Sequence, residues 1–366
     1  MVDATVDVIV VGAGLIGMLT ARALQQHGAR VLILERGKAG GESTWAGGGI
    51  LSPLYPWRYP EAVNWLAHHG QKIYPQMAEE IFAESGVDPE YIRSGMLILD
   101  QHENDAADAW ARHWQMQMEM LRGDALQMQE PALDPGVSSA LWLPQIAQLR
   151  NPRLIKSLAG SLRQRKISCM ENTEVMALEI ESGEVRGVRT AQARYSAGNV
   201  VIAGGAWSAK IIQPYAKPPR IQPVKGQMIL FRGEPGMLRS IILSQGRYLI
   251  PRRDGRILAG STLEYTAFDK SVHDSALQDL RSAAVSLAPQ LAGLAVENHW
   301  AGLRPGSEQG VPYICRHPEI KGLYINSGHF RNGVILGAAS AQLMADLIGG
   351  ITPAIDPAFY DFEAAH

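Results

Sequence analysis

Apolar residues and glycines at the start of the chain follow a pattern typical of a strand, a tight turn, a helix and a second strand. Residues 6–11 are almost continuously apolar and rich in valine, which favours a parallel strand buried on both faces. Leucine and alanine recur at helical spacing from Leu15, and Gly28 ends the predicted helix. A second apolar run covers residues 30–35. This order predicts a βαβ unit with parallel strands.

The same periodicity along the rest of the chain predicts alternating helices and strands, with many of the strands in its second half. The Pro-rich segment 130–152 is predicted to be irregular. Helices are predicted over residues 61–85, 104–122, 206–212, 274–287 and 334–348, and strands over 95–99, 200–203, 227–231, 248–251, 257–260 and 323–326.

Composition narrows the class of protein. The 366 residues are 46% hydrophobic and 19% charged, an ordinary globular balance that suits two domains or one large domain. A net charge of −2 gives little attraction to nucleic acid or anionic membranes. Cys169 and Cys315 belong to no metal-binding or disulfide pattern, which fits a reducing cytoplasm. We expect no metal site, no secretory signal and no transmembrane helix.

The turn after the first strand carries a dinucleotide-binding fingerprint. Gly12, Gly14 and Gly17 form G-x-G-x-x-G, which allows a tight turn, close approach of a diphosphate and close helix–strand packing. Glu35 follows the last of these glycines by 18 residues, where a carboxylate accepts hydrogen bonds from the adenosine ribose. Arg36 leaves open a nucleotide with a 2′-phosphate.

The loop after the second strand, residues 40–50, favours FAD over NAD. Its glycines and hydroxyl residues suit close passage beneath a diphosphate and a flat isoalloxazine ring, whereas a simple NAD dehydrogenase usually continues into a helix. The competing interpretation is a surface loop without a ligand.

Several blocks of sequence together resemble the D-amino acid oxidase superfamily, and within it the glycine oxidase group of the thiamine pathway. They occur in family order over nearly the whole chain. The blocks are residues 10–17, 43–50, 223–227, 248–252, 300–305 and 328–333.

The resemblance implies where FAD and an amino acid would bind. Arg304 matches the arginine that binds the substrate carboxylate, Tyr248 its partner tyrosine, and Arg331 a second arginine at the substrate mouth. The implied cofactor contacts, besides the glycines of the fingerprint, are Leu15, Ile16, Glu35, Arg36, Ser43, Thr44, Gly48, Gly49, Ile50, Val175, Gly204, His329, Phe330, Arg331, Asn332, Gly333, Val334 and Ile335.

The implied reaction is oxidation of glycine by O2 and water to glyoxylate, ammonia and hydrogen peroxide, by hydride transfer from Cα to flavin N5. The imine intermediate would supply thiazole synthesis. A guanidinium suits the carboxylate because it donates two parallel charge-assisted hydrogen bonds. The positive N-terminus of the last helix would face the charge on reduced flavin.

The expected fold is α/β, with a Rossmann-like FAD-binding domain interleaved with a substrate domain. We assign residues 1–84, 151–220 and 301–366 to the FAD-binding domain. Residues 85–150 and 221–300 form the substrate domain, with a mostly antiparallel sheet. The resemblance also implies a homotetramer. FAD is expected to be non-covalent, because Pro312 stands where a related branch carries its flavin-linked cysteine.

Two departures from the glycine oxidase pattern leave the substrate open. Gly246 replaces a histidine and Leu263 a methionine, so the pocket could accept D-amino acids or N-methyl amino acids. The sequence is also compatible with an FAD domain that modifies tRNA, although the net charge disfavours it. A flavin subunit that passes electrons to a partner instead of O2 and a non-catalytic binding module stay open as well.

Overall fold

The fold is that of a computed structural model that describes residues 4–100 and 103–364. The helices are α1 (Leu15–Gln26), α2 (Ser43–Ala46), α3 (Glu61–Ser85), α4 (Asn104–Trp114), α5 (Gly123–Gln129), α6 (Asn151–Gln164), α7 (Ser208–Ile212), α8 (Asp274–Leu287) and α9 (Gly333–Gly349). The strands are β1 (Ala4–Val11), β2 (Val31–Leu34), β3 (Met96–Ile98), β4 (Glu119–Arg122), β5 (Ser139–Leu143), β6 (Ser168–Met170), β7 (Ala177–Glu181), β8 (Glu184–Arg189), β9 (Arg194–Ile202), β10 (Gln222–Phe231), β11 (Ile241–Ser244), β12 (Arg247–Pro251), β13 (Ile257–Gly260), β14 (Val296–Gly306), β15 (Tyr313–Arg316) and β16 (Leu323–Ser327).

The first sheet has the strand order β15-β16-β9-β1-β2-β6, with the hairpin β7–β8 beside β9. Strands β16, β9, β1, β2 and β6 are parallel to one another. Helices α1, α3, α6 and α9 cover one face, and the hairpin β7–β8 packs with α7 on the other. Because both faces are covered, β1 and β2 are apolar at nearly every position.

The second sheet has the order β14-β10-β13-β12-β11-β3-β5-β4 and is antiparallel except between β11 and β3. Side chains alternate along its strands. Met228 and Tyr248 lie on the side that we call the cavity face, since both line a cavity between the two sheets. Ile229 and Leu249 lie on the opposite side, the helix face, which α8 covers.

The structure confirms the predicted α/β class and the βαβ start of the chain. The helices at 61–85 and 274–287 have the predicted bounds. The helix predicted over residues 104–122 is wrong beyond Trp114, because Gln115 adopts a left-handed conformation (φ 54°) that ends it. The segment 130–152 is not wholly irregular, since β5 lies within it and pairs with β4.

The division into two domains stays a prediction, and the structure suggests one adjustment to it. Strand β14 runs from Val296 to Gly306, across the proposed boundary at residue 300. It pairs with β10 along nearly its whole length. We therefore propose that the substrate domain extends to Gly306. Within the described residues, no helix is long and apolar enough to cross a membrane.

Close contact between α3 and α9 generates a prediction about stability. A Cβ added at Gly70 would lie 2.1 Å from the carbonyl oxygen of Ile335, in the first turn of α9. We expect Gly70→Ala to lower the free energy of unfolding by about 1–3 kcal/mol, because backbone atoms cannot move aside as a flexible side chain can. Urea unfolding measures the change.

The control is Gly198→Ala, where an added Cβ would meet no atom within 4 Å. If Gly70→Ala unfolded at the same urea concentration as the wild type, the two helices would not be held as closely as described.

Candidate active site

The glycines of the fingerprint allow β1, α1 and β9 to approach one another. Gly12 has a φ of 109°, and a Cβ there would lie 2.6 Å from the carbonyl oxygen of Ala203. A Cβ on Gly17 would lie 1.9 Å from the carbonyl oxygen of Gly12. Gly14, the N-cap of α1, lines the space in front of that helix and has no side chain, and the N–H of Leu15 donates to Thr44 Oγ1 at 3.0 Å. The other N–H groups of the first turn face that space, as in an anion-binding site.

Glu35 ties this turn to the end of β2. Its carboxylate accepts hydrogen bonds from the backbone N–H groups of Ala13 and Gly37, both at 2.8 Å. Arg36 stacks 3.8 Å above the ring of Trp207 and pairs with Glu42 at 3.2 Å. Because Arg36 already has an acidic partner, it is less suited to a 2′-phosphate.

Two cavities share part of their walls: the first lies between the two sheets, and the second lies at the edge of the first sheet, beside the ends of β1 and β2. The first holds the predicted substrate residues, and the second surrounds Glu35 and Arg36. Gly14, Ser43 and Thr44 line both, so the cavities form one continuous trench. An elongated ligand that reached from one end to the other would pass the N-terminus of α1.

Most predicted cofactor residues line this trench. Gly17, Asn332 and Ile335 line neither cavity, and Gly17 acts instead in packing. The first cavity is lined by Leu15, Ile16, Gly48, Gly49, Ile50, His329, Phe330, Arg331, Gly333 and Val334, and the second by Gly12, Glu35, Arg36, Val175 and Gly204.

Side chains from the second sheet and from α6 hold α2 and the loop that follows it. Arg252 is buried and donates to the carbonyl oxygens of Gly48 at 2.7 Å and Leu149 at 3.1 Å. Asn151 donates to the carbonyl oxygen of Thr44 at 2.7 Å. Sequence reasoning placed Arg252 in a family block without a role and did not find Asn151 or Trp207. These contacts hold the loop against the wall of the cavity.

Arg304 lies on β14 and faces the cavity. Its Nη1 donates to the carbonyl oxygens of Lys225 at 3.3 Å and Thr262 at 3.2 Å, and its Nη2 donates to Ser261 Oγ at 2.7 Å. A Cβ on Gly226 would lie 2.1 Å from Nη1, so only glycine leaves room for the guanidinium. All three partners are neutral oxygens.

The neighbours of Arg304 change its pKa in opposite directions. Burial lowers the pKa of Arg304, because desolvation disfavours its charged form, and the charge of Arg331 lowers it further. Tyr248 raises the pKa of Arg304, through its charge and through a side-chain hydrogen bond. The group nevertheless stays charged, as arginines in proteins do.

Tyr248 and Arg331 complete this end of the cavity. The Tyr248 hydroxyl lies 3.8 Å from Met228 Sδ, a weak contact, and its other interaction is with the guanidinium of Arg304. Its ring packs over Gly260, where a Cβ would lie 2.7 Å from the ring. Arg331 makes no hydrogen bond or ion pair to another described residue. The structure therefore brings together all three residues predicted to bind the substrate.

His329 is a neutral acceptor in the wall of the cavity. Burial lowers its pKa to about 3. Its Nε2 lies 3.0 Å from Ser340 Oγ, whose own hydrogen is donated to the carbonyl oxygen of Leu336 at 2.8 Å. Nε2 is therefore the protonated nitrogen, and Nδ1 is left without a partner.

The N-terminus of α9 also points into this wall. Gly333 and Val334, in its first turn, line the cavity, and the preceding residue, Asn332, makes no side-chain cap. The first N–H groups of a helix carry partial positive charge. Negative charge on a bound group would be stabilised here.

Buried polar atoms that lack a hydrogen-bond partner indicate whether the residues of the trench suit FAD. Asn151 Oδ1, Asn326 Oδ1 and His329 Nδ1 are buried, have no hydrogen-bond partner and belong to residues that line the first cavity. Buried polar groups are normally satisfied, so these acceptors indicate a ligand with donor groups. A polar ring system and sugar alcohol at this end, and a nucleotide at the end with Glu35, match these residues.

Comparison with known proteins agrees with this geometry. The family model described as FAD dependent oxidoreductase matches residues 7–347. The chain is 46% identical to glycine oxidase of Pseudomonas putida over 97% of both chains. It is 29% identical to the bifunctional protein ThiO/ThiG of Synechocystis, covering 94% of this chain and 52% of that protein. The crystal structure of glycine oxidase from Geobacillus kaustophilus matches 99% of this chain and 100% of its own, with a TM-score of 0.94 and 27% identity.

The two departures from the family pattern lie outside the cavity. Gly246 sits in the turn between β11 and β12 with a φ of 74°, and Leu263 is 47% exposed. Neither lines the first cavity, so neither widens it directly. Cys315 is buried in β15 and lines neither cavity.

The burial of neutral His329 generates a prediction about pH. The histidine titrates near pH 6.5 when unfolded and near pH 3 when folded. Between these values the unfolded chain binds one more proton, so stability decreases by about 1.4 kcal/mol per unit as the pH falls. We expect His329→Gln to lose stability less steeply between pH 6 and pH 4, as measured by denaturant unfolding.

The control is His113→Gln, whose side chain is 62% exposed. Equal slopes for the wild type and His329→Gln would show that His329 is protonated in the folded protein.

Proposed function

Because the chain belongs to the family of FAD-dependent oxidoreductases, we propose that it oxidises the C–N bond of a small amino acid, with glycine as the main substrate. The overall reaction converts glycine, O2 and water into glyoxylate, ammonia and hydrogen peroxide. Support comes from the site itself and from near full-length similarity to glycine oxidases.

The observation that carries the proposal is the environment of Arg304. A guanidinium has five N–H donors, and the three hydrogen bonds to Lys225, Thr262 and Ser261 leave two of them. Two donors on a partly buried cation with only neutral partners match the two oxygens of a carboxylate. The hydroxyl of Tyr248 lies close enough to the guanidinium to influence its pKa and would serve the same ligand.

The charges in the cavity also suit the amine. Arg304 and Arg331 line it, and no Asp or Glu is among its described lining residues. A positive field lowers the pKa of a bound amine, because like charges disfavour the protonated form. The neutral amine is the form that can be oxidised to an imine, so these side chains prepare the substrate while Arg304 fixes its orientation.

FAD, when bound, supplies the hydride acceptor and returns the electrons to O2. The residues placed to hold it are Glu35 and Val175 at the nucleotide end, and His329 with the first turn of α9 at the other end. Negative charge beside an exposed helix N-terminus is stabilised by about 0.3–1 kcal/mol. The buried position of Cys315 away from the trench supports non-covalent binding.

The biological setting is also part of the proposal. Similarity to a bifunctional ThiO/ThiG protein supports a role in supplying the imine for thiamine thiazole synthesis. We further propose a cytoplasmic homotetramer, on the resemblance of the sequence to the glycine oxidase group.

Assays with several amino acids separate glycine oxidation from the alternative functions. We expect the purified protein to be yellow, to lose its visible absorbance when glycine is added without O2, and to release peroxide fastest with glycine. A large advantage in kcat/KM for sarcosine or D-alanine would reassign the substrate within the same fold. Reduced protein that stays colourless in air would indicate a different electron acceptor, and salt-dependent tRNA binding would favour an RNA-modifying role.

Arg304 provides a prediction for substrate binding. We expect Arg304→Lys to lower kcat/KM for glycine by about 100-fold, because a lysine keeps the charge and loses the two parallel donors, each worth about 1.5–3 kcal/mol. FAD affinity should stay unchanged, since the contact is with the substrate. Steady-state peroxide release and flavin fluorescence measure the two quantities.

Arg316→Lys, at an exposed position on β15, is the control and should behave as the wild type. If Arg304→Lys kept its kcat/KM, the carboxylate would be held by another group, and Arg331 would be the first to test.

A further inference from the structure

Lys225 on β10 is a fully buried cation outside the cavity. Its side chain has no exposed surface, and its Nζ lies 3.1 Å from Glu264 Oε2 and 3.0 Å from Asp269 Oδ2. It also donates to the carbonyl oxygen of Ser271 at 3.2 Å and lies 3.4 Å from His273 Nε2. The mechanism above uses only the backbone carbonyl of this residue, so the buried charge calls for an explanation.

All four partners of the lysine belong to one segment. Residues 261–273 connect β13 to α8, and we call them the β13–α8 connection. Lys225 and Gly226 are neighbours on β10, so they face opposite sides of the sheet. Gly226 lies against Arg304, and the side chain of Lys225 therefore projects from the other face. The lysine therefore cannot touch a ligand in the cavity, but it holds the connection at several points.

The same connection carries two of the groups that hold Arg304. Ser261 Oγ and the carbonyl oxygen of Thr262 accept hydrogen bonds from its guanidinium. Further bonds tie this start of the connection to the lysine site. The Thr262 hydroxyl donates to Glu264 at 2.5 Å, and Gln227 Nε2 donates to the same carboxylate at 2.8 Å. The lysine and the arginine thus share one hydrogen-bonded network through the sheet.

Charge explains why the lysine matters to this network. Glu264 and Asp269 both lie within 3.1 Å of Nζ, and the pKa of each is lowered, so both stay ionised above acidic pH. Without the lysine, no other cation would contact these two carboxylates among the described side chains. Their repulsion and their need for water would loosen the connection from the sheet.

We propose that Lys225 is a positioning residue for carboxylate binding: it fixes the β13–α8 connection so that Ser261 and Thr262 direct the guanidinium of Arg304 into the cavity. The inference rests on the proposed function, in which Arg304 binds the substrate carboxylate. It assigns to Lys225 no contact with the substrate or with FAD.

The effect should appear in substrate binding more than in turnover. The carboxylate is not the reacting group, so its contact with Arg304 contributes about equally to the ground state and the transition state. Loss of such uniform binding raises KM and leaves kcat nearly unchanged. A residue that only stabilised the fold would not produce this separation.

The test compares Lys225→Met with Lys270→Met in the holoenzyme. Lys270 lies on the same connection and pairs with Glu42, but its side chain is 47% exposed, whereas that of Lys225 has no exposed surface. Glycolate, which replaces the amine of glycine with a hydroxyl, is titrated while the flavin absorbance is followed. We expect Lys225→Met to raise the Kd of glycolate and the KM of glycine about 10-fold, with kcat changed less than about 3-fold, and Lys270→Met to match the wild type.

Asp269→Asn is the second variant, to be used if Lys225→Met does not fold. Its side chain is 47% exposed, so the substitution removes one of the two carboxylates that pair with Lys225 and leaves the buried lysine in place. We expect glycolate affinity to decrease about 3-fold at unchanged FAD affinity. Unchanged glycolate binding in the folded variants would overturn the proposal, and so would a parallel loss of glycolate and FAD affinity, which would indicate a structural role.

The result can be separated from the test of function. If the wild type binds glycolate and does not oxidise glycine, the proposed substrate is wrong, yet the ratio of glycolate affinities still decides the role of Lys225. If the wild type binds no carboxylate, both the anchor at Arg304 and the role of Lys225 are rejected.

Discussion

The site depends on a partly buried positive charge, that of Arg304, which no carboxylate of the described residues neutralises. The guanidinium of Arg304 donates to two carbonyl oxygens and one hydroxyl, and it contacts no carboxylate of the described residues. An unpaired charge in a desolvated setting is costly unless a counter-ion arrives. A small carboxylate ligand satisfies this constraint, so the feature that is costly in the free protein also selects its substrate class.

The two sheets give this charge its place. In the register between β10 and β14, Val224 lies opposite Arg304 and Gly226 opposite Gly302, which keeps the wall beside the guanidinium free of bulky side chains. The first sheet supplies the nucleotide end of the trench and the first turn of α9. Arg252 crosses from the second sheet to hold the loop at Gly48. Cofactor and substrate sites are thus joined through a few buried polar contacts.

Local sequence signals predict much of this arrangement. The βαβ unit around the glycine fingerprint and the helix at 61–85 depend on nearby residues, and both are confirmed. The helix predicted over residues 104–122 overlooks the alternation of Met116, Met118 and Met120, a period of two that is typical of extended chain, and β4 begins at Glu119. Resemblance to a family supplies Arg304 and Tyr248, which periodicity alone would leave as ordinary strand residues.

Long-range contacts account for what the sequence does not reveal. Asn151 and Trp207 reach the trench only because α6 and the end of β9 meet there in the folded chain. The network around Lys225 needs both the strand register of β10 and the path of residues 261–273. Neither follows from the spacing of residues along the chain.

A crystal structure of the holoenzyme with glycolate tests the role of Arg304 most directly. We expect both carboxylate oxygens within hydrogen-bond distance of the Arg304 guanidinium, with the Tyr248 hydroxyl as a further donor. A ligand whose carboxylate bound Arg331 instead, with Arg304 bonded only to protein oxygens, would contradict that role.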